Sequence, residues 1–388
     1  MSVRVGIDVL LDQQPDLVAG RRLGLIASPS SVDHALNSSI DRLRQHPGSA
    51  LVALFGPEHG IRGSAQAGEH VVTAVDPLTG LPAYSLYGST KQPTAEMLAG
   101  VDALVYDLQD GGVRFYTYLS TLVYALKAGA EHGIPVIVLD RPNPISGRAP
   151  EGPLLQPTYS SFVGLAPVPI RHAMTAGELA LLCNAALAIG AAVTVVKLAG
   201  WRRALWFDET GLPFVQPSPN LPTLDSLTAY PGTCLVEGTT LSEGRGTTRP
   251  FEVIGAPWLD GERLARDLNA RDLPGVRFRP TYFVPTFSKY QGELCSGVQL
   301  HVLERARFRA VETALHLLAQ VKASCPEQFA WRAPWSDGGR RPIDLLTGGS
   351  QVREHLDAGS PVSELIESFQ ADLRAYEQAR APYLLYDD

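Results

Sequence analysis

Residues 50–63 read ALVALFGPEHGIRG. The first seven are apolar or small with no polar alternation, and the run breaks at Pro57 to deliver Glu58 and His59. A strand wetted on one face alternates polar with apolar residues; a run without alternation fits a parallel sheet covered on both faces. The same texture recurs in RLGLIAS (22–28), DALVYDL (102–108), PVIVLDR (135–141) and AVTVVKL (192–198). Between these runs, TYLSTLVYALKAGAEHG (117–133) carries apolar residues at helical spacing and stops at a glycine. TAGELALLCNAALAIG (175–190) opens with Thr175 and has Glu178 three residues later, a capping-box pattern. Strands alternating with helices predict a doubly wound α/β domain around a parallel sheet.

The chain has 388 residues, more than the roughly 250–300 at which a single core stops growing, so two domains are expected. From about residue 200 the texture turns Pro-rich and loop-like, as in TGLPFVQPSPNLPTLDSLTAYPGT (210–233), and the boundary is placed near Tyr230. This gives an α/β domain over 1–230 and a smaller α+β domain over 231–388. In the latter, GERLARDLNAR, ARFRAVETALHLLAQVKAS and PVSELIESFQADLRAYEQAR read as helices and SGVQLHVLE as a strand. The formal net charge of −7, without a basic stripe, argues against a nucleic-acid partner. Four cysteines (Cys183, Cys234, Cys295, Cys325) lie far apart in no metal-binding spacing and read as reduced. Asp8 and Asp12 interrupt the first apolar run, so no leader or membrane segment is expected there, and a cytoplasmic location follows.

In an open parallel sheet ligands bind beyond the carboxyl ends of the strands. The run ending at Gly56 supplies Glu58 and His59. DALVYDLQDGGVRFYTY (102–118) supplies Asp107, Gln109, Asp110 and Arg114, and PVIVLDRPNP supplies Asp140, Arg141 and Asn143. Any one of these acids could be a helix cap or turn residue; three strand ends together point to a polar site. Farther on, VEGTTLSEGRGTTRPFE (236–252) sets Glu237, Glu243 and Arg245 among glycines, and FSKYQGELCSG (287–297) adds Lys289 and Tyr290. The glycine-rich dinucleotide and P-loop signatures, the serine elbow and the zincin helix are all missing. Of the nine histidines, His59 and His172 stand in suspicious loops. What remains abundant is carboxylate, and paired carboxylates with Arg, Asn and aromatic partners suit glycoside hydrolysis, in which an acid protonates the leaving oxygen.

Several blocks then become recognisable: GPEHGIRG, LPAYSLYG, LVYDLQDGGVRFYTY, VLDRPNP, SPNLPT, EGTTLSEGRGTTRPFEVIGAPW and FSKYQGELCSGVQLHV. Together they resemble the exo-β-N-acetylmuramidase family, long catalogued as a bacterial domain of unknown function, over nearly the whole chain. The resemblance implies a Rossmann-like N-terminal domain, a smaller C-terminal domain with a cleft between them, and release of N-acetylmuramic acid from the non-reducing end of peptidoglycan fragments. Carried over by motif, Glu58 in GPEHG is the first choice for general acid/base, with His59 beside it. Glu243 in SEGRGT is the candidate second carboxylate, contributed across the domain interface, with Glu237, Asp107, Asp110 and Asp140 competing for the role.

The substrate's lactyl carboxylate calls for a bidentate cation. Arg62, Arg114, Arg141 and Arg245 are the choices, with Arg245 favoured by its glycine neighbours. Tyr116, Tyr118 and Tyr290 could meet a sugar face, and Asn143 and Asn220 its hydroxyls. A smaller departure from the family is PIRHAMT (169–175), where relatives tend to read HGMT. No cofactor or metal is expected, and the partners are peptidoglycan-derived disaccharides or muropeptides, with no membrane. Two other readings stay open: a metal-dependent hydrolase or transferase acting on a modified sugar, and a non-catalytic muropeptide-binding protein.

Overall fold

The computed structural model describes residues 2–63, 68–69, 73–334 and 338–388. The chain divides into two compact units. The first comprises Met1–Ala149, Ala173–Pro222 and Ala379–Asp388, and the second Pro150–His172 and Thr223–Gln378. Each unit is thus discontinuous in sequence, where the texture of the chain drew one cut near Tyr230.

In chain order the strands begin with β1 (Arg22–Ala27), β2 (Ala50–Gly56), β3 (Ala74–Val75), β4 (Pro82–Ser85), β5 (Ala103–Asp107) and β6 (Val136–Leu139). They continue with β7 (Glu151–Leu154) and β8 (Pro169–Arg171), which belong to the second unit, and β9 (Val193–Val196). The first unit holds a sheet of order β3-β4-β2-β1-β5-β6-β9. Its strands run parallel except β3, which is antiparallel to β4. Helices α1 (Gly6–Gln13), α2 (Ser39–Gln45), α3 (Thr117–His132) and α4 (Ala176–Ala186) complete the unit.

The unalternated runs are buried as their texture requires. Leu23, Leu25 and Ile26 of β1 and Leu54 and Phe55 of β2 have no exposed surface. Register aligns the strand ends: Ile26 pairs with Phe55 on one side, and Ala27 pairs with Asp107 on the other. The order reverses between β1 and β5, so the switch point of this doubly wound sheet lies at the ends of those two strands. The capping box of α4 is formed, Glu178 N donating to Thr175 Oγ1 at 3.3 Å and Thr175 N to Glu178 Oε2 at 3.0 Å.

The second unit carries β10 (Val253–Ala256), β11 (Val276–Phe283) and β12 (Cys295–Val302) in an antiparallel sheet of order β10-β12-β11. Its helices are α5 (Leu224–Thr233), α6 (Gly261–Asn269), α7 (Ala310–Ser324), α8 (Pro342–Thr347), α9 (Gln351–Asp357) and α10 (Val362–Arg380), whose last residues enter the first unit. The antiparallel pair β7–β8 brings Glu151 opposite Arg171, and the two side chains form a buried ion pair at 2.7 Å. Glu151 also accepts from Val311 N at 3.2 Å, in the first turn of α7, where a carboxylate suits the helix dipole.

The loop-like reading of 210–233 requires correction over its last ten residues, which form α5. Thr223 caps that helix by accepting from Ser226 N at 3.1 Å, and Pro231 sits near its end, where the Pro and Gly texture had hidden the buried face. Ala173, in the PIRHAMT stretch, has φ 54°. That left-handed conformation costs a residue with a Cβ about 1–2 kcal/mol. No helix among the described residues is long and apolar enough to cross a membrane.

Candidate active site

Glu58 leaves the carboxyl end of β2 through a sharp turn. His59 and Gly60 take φ of 73° and 75° in succession, a conformation that glycine adopts freely and histidine does not. The Glu58 carboxylate is nine-tenths buried and held at both oxygens: Thr117 Oγ1 donates to Oε2 at 2.6 Å, and Gly68 N donates to Oε1 at 2.9 Å. Thr117 is the first residue of α3, so the helix start and the strand end meet at this acid.

Tyr87 also hydrogen-bonds Glu58, and burial with the neighbouring Glu58 charge pushes the phenol up. Lys91 stands over the Tyr87 ring, its Nζ 3.7 Å from the centroid. Tyr118 reaches the Glu58 carbonyl at 3.4 Å and the Pro217 carbonyl at 3.1 Å, and it touches the side chains of Ser28 and Tyr116. Tyr116 donates to the same Pro217 carbonyl at 2.7 Å and packs edge-on against Tyr118. These two tyrosines, at the start of α3, therefore hold the Pro217 carbonyl, and Tyr118 ties it to the Glu58 backbone. Arg62, three residues past His59, is committed elsewhere: its guanidinium makes a bidentate pair with Asp76 at 3.0 and 2.9 Å and holds that carboxyl below its usual range.

At the switch point a second polar group is built. Arg141 Nε and Nη2 meet Asp107 Oδ1 and Oδ2 at 2.6 and 3.0 Å, and Nη2 also donates to Val32 O at 2.9 Å. Ser39 adds a hydroxyl to Asp107, and Ser31 donates to the Asp107 carbonyl. Ser28, Ser30 and Ser31 stand at the end of β1, with Ser28 N donating to Ser31 Oγ at 2.9 Å. Ser30, Asp33, Gln109 and Arg141 line a small recess whose other walls include Phe207, Leu212 and Val215. Gln109 is fixed there by bonds to the Asp110 and Pro142 carbonyls.

Asp8, Asp33 and His34 bring ligand atoms within 4.8 Å of one another. They are engaged among themselves and with the turn: His34 Nδ1 lies 3.0 Å from Asp8, and Asp33 accepts from Ala35 N, Asn37 N and Asn37 Nδ2 and pairs with Arg42.

Other residues expected at the strand ends hold the chain. Asp140 accepts from Thr175 Oγ1 at 2.7 Å, Gly177 N at 2.8 Å and Tyr386 at 2.5 Å, and so caps α4 and ties down the C-terminal segment. Gly177 is needed there because a Cβ would lie 2.8 Å from the Asp140 carboxylate. Asn143 bridges Met174 O at 2.9 Å and Ile145 N at 3.1 Å. Asp110 accepts from Gly112 N at 2.6 Å, and Asn220 N reaches Ser218 Oγ at 3.4 Å. Arg114 is fully buried, and burial pushes its guanidinium down to about 9.

Burial also pushes the Asp140 carboxyl up to about 6, against the opposing bonds from Tyr386, Gly177 and Thr175. The folded state thus keeps a proton that the unfolded chain has released from its ordinary value of 3.8 upward, and stability falls as pH rises between that value and about 6. Asp140→Asn should flatten this decline in a series of melting temperatures across that window. An unaltered pH profile would assign the decline to other groups.

The second unit gathers its own charges. Arg245 Nη2 meets Glu237 at 2.6 Å, and its Nε meets Glu243 at 3.3 Å. Lys289 Nζ lies 3.0 Å from the other Glu243 oxygen and donates to Leu241 O at 2.6 Å and Val236 O at 3.1 Å. Burial opposes the Arg245 charge, but Glu237 and Glu243 outweigh it and raise its affinity for the proton. The guanidinium also faces the Phe251 ring at 5.1 Å. Tyr290 donates to Thr240 O at 2.7 Å and accepts from Trp258 Nε1 at 3.0 Å. His172 belongs to this unit as well, its carbonyl accepting from Tyr376 at 2.8 Å. Of the residues singled out by the sequence, Glu58 and His59 lie in the first unit and Glu237, Glu243, Arg245, Lys289 and Tyr290 in the second; the reading passed over Thr117, Tyr87, Lys91 and Ser28–Ser31. Ser28 could have been found by the strand-end rule that picked out Glu58, whereas Lys91 sits in a loop with no pattern of its own.

A doubly wound sheet with a tethered carboxylate at a strand end, followed by a second α+β unit, is the architecture of a two-unit α/β protein. The N-terminal exo-beta-N-acetylmuramidase NamZ family model matches residues 23–225 and the C-terminal one residues 228–386, so the chain belongs to this family. The peptidoglycan beta-N-acetylmuramidase NamZ of Bacillus subtilis (strain 168) is 50% identical over 385 residues, 99% of this chain and 92% of the relative. Among solved structures, a DUF1343 family protein from Bacteroides fragilis NCTC 9343 superposes with TM-score 0.92 at 37% identity, over 100% of this chain and 99% of its own. A second DUF1343 family protein from the same organism gives TM-score 0.80 at 30% identity, with both chains fully covered.

Proposed function

We propose that the chain releases N-acetylmuramic acid from the non-reducing end of peptidoglycan-derived disaccharides or muropeptides, with Glu58 as the general acid/base. The observation that carries the catalytic part is the Glu58 carboxylate, set by a positive-φ turn at the end of β2 and held by Thr117 and Gly68. In the reaction Glu58 gives its proton to the glycosidic oxygen as the C1–O bond opens; water then supplies the new anomeric hydroxyl, and its other proton restores the Glu58 carboxyl. Thr117 and Tyr87 fix which carboxyl oxygen faces the leaving group, which is a positioning role. All four cysteines are free, which fits a reducing compartment and supports a cytoplasmic location acting on soluble fragments.

The test is release of 4-nitrophenol from 4-nitrophenyl β-N-acetylmuramic acid beside the N-acetylglucosamine analogue, each with and without EDTA. Cleavage of the lactyl-bearing sugar that survives EDTA supports the proposal. A requirement for added magnesium would favour the metal-dependent transferase, and tight binding without turnover would favour the binding protein. Thr117→Val, nearly isosteric, should lower kcat about tenfold by removing one hydrogen bond to a charged group. An unchanged kcat would remove the hydroxyl from the mechanism.

A further inference from the structure

The small recess at the switch point takes no part in the acid chemistry above, yet two polar groups in its lining are unmatched by protein. Arg141 uses Nε and Nη2 on Asp107 and the Val32 carbonyl, and nothing among the described residues accepts from its Nη1. Gln109 uses Nε2 on the Asp110 and Pro142 carbonyls, and nothing among the described residues donates to its Oε1. Both side chains are almost wholly buried, and both line the recess. A buried donor and a buried acceptor without protein partners are costly unless a ligand or water meets them.

The rest of the lining narrows what that ligand is. Phe207, Leu212 and Val215 form an apolar wall, and the space beside it admits a group about the size of a methyl or a water. The charges are already balanced: Arg141 faces Asp107, and Asp33, also in the lining, pairs with Arg42. An added anion would be buried beside the Asp33 carboxylate without a cation of its own, so the recess suits a neutral group. A carbonyl for the guanidinium, an N–H for the amide oxygen and a methyl for the apolar wall together make an acetamide.

The recess also stands near the acid. Its polar groups follow β1, β5 and β6, and β1 is the neighbour of β2, from which Glu58 emerges, so the two lie one to two strand spacings apart, roughly 5–10 Å. Side chains join them: Ser30 of the lining shares a hydrogen bond of 2.9 Å with Ser28, Ser28 touches Tyr118, and Tyr118 reaches the Glu58 carbonyl at 3.4 Å. One hexosamine ring spans such a distance, and its acetamide sits on C2, next to the carbon at which the bond breaks.

Resting on the muramidase reading above, we propose that this recess receives the 2-acetamido group of the substrate, with Arg141 Nη1 donating to the carbonyl, Gln109 Oε1 accepting from the N–H, and Val215, Leu212 and Phe207 limiting the acyl chain to two carbons.

The test trims the wall. Val215 is half-buried in a loop, and Val215→Ala enlarges the recess while leaving Glu58 and its partners as they are. Wild type and variant are compared on 4-nitrophenyl β-N-acetylmuramic acid and on its N-propionyl analogue. Wild type should favour the acetyl sugar about tenfold or more in kcat/KM, the scale on which a pocket discriminates one methylene. Val215→Ala should shrink that preference at least about fivefold by gaining on the propionyl sugar, and Val215→Phe, which fills the space, should lose on both, mainly through KM. The acetyl-to-propionyl ratio does not depend on how much of a variant folds. Equal rates on both sugars in wild type, or an unchanged ratio in Val215→Ala, would overturn the proposal.

Calorimetric titration with free N-acetylmuramic acid and its N-propionyl analogue reads the same contact without turnover. Wild type should bind the acetyl sugar more tightly, and Val215→Ala should bind both alike. Absence of the preference in wild type, or its survival in the variant, overturns the inference. Failure of the muramidase reading is distinct: wild type would then cleave neither nitrophenyl sugar, and the titration alone would decide the recess.

Discussion

Glu58→Gln should fold as wild type does and lose at least about a thousandfold in kcat on a natural disaccharide, with a smaller loss on 4-nitrophenyl β-N-acetylmuramic acid. The argument for intact folding comes from the bonds Glu58 makes. Gln keeps one carbonyl oxygen to accept from Gly68 N, and the Thr117 hydroxyl, which can rotate, is able to accept from the new amide. The side chain keeps its volume, so the turn through His59 and Gly60 is not asked to repack. What Gln cannot do is carry a proton to the glycosidic oxygen. 4-Nitrophenol leaves readily without protonation, so the loss should be smaller there than on a natural disaccharide, whose leaving sugar hydroxyl needs the proton. A variant that folds and turns over within threefold of wild type on both substrates would take Glu58 out of the chemistry.

How far the sequence led is best seen residue by residue. The strands were legible because their burial on both faces leaves an unbroken apolar signature. Glu58 was legible because a charged residue directly after such a run has to emerge at the carboxyl edge. The partners of Glu58 were not legible: Thr117 looks like any helix-starting threonine, and Tyr87 and Lys91 approach from β4, whose short PAYS run carries little periodic signal. The strand-end rule also swept in side chains that serve the backbone. Asp140 caps α4 and Asn143 bridges two loop segments, roles that depend on which chain end packs behind them. The excursion of 150–172 into the second unit and the return of 379–388 to the first are long-range events that composition does not encode.

The largest stability effect should come from Asp107→Ala. Asp107 is wholly buried and Arg141 nearly so, and the bidentate geometry at 2.6 and 3.0 Å compensates the desolvation of both. With the carboxylate gone, a guanidinium stays buried with only the Val32 carbonyl to accept from it among the described residues, and breaking such a pair costs about 3–5 kcal/mol. The expected result is a lower midpoint in urea at unchanged slope. Arg141→Met in the Asp107→Leu background should restore much of the loss, since an apolar pair of similar volume carries no stranded charge.

A loss under about 1 kcal/mol in Asp107→Ala would mean that water from the adjoining recess solvates Arg141, and the pair would then count as a surface interaction. The same double variant separates structure from recognition. Asp107 and Arg141 join the ends of β5 and β6 to the loop after β1 through Val32, while Ser31 holds the Asp107 carbonyl. If their role is to keep those strand ends in register, the apolar pair should leave KM near wild type; if Arg141 also meets substrate across the recess, KM should rise although stability has returned.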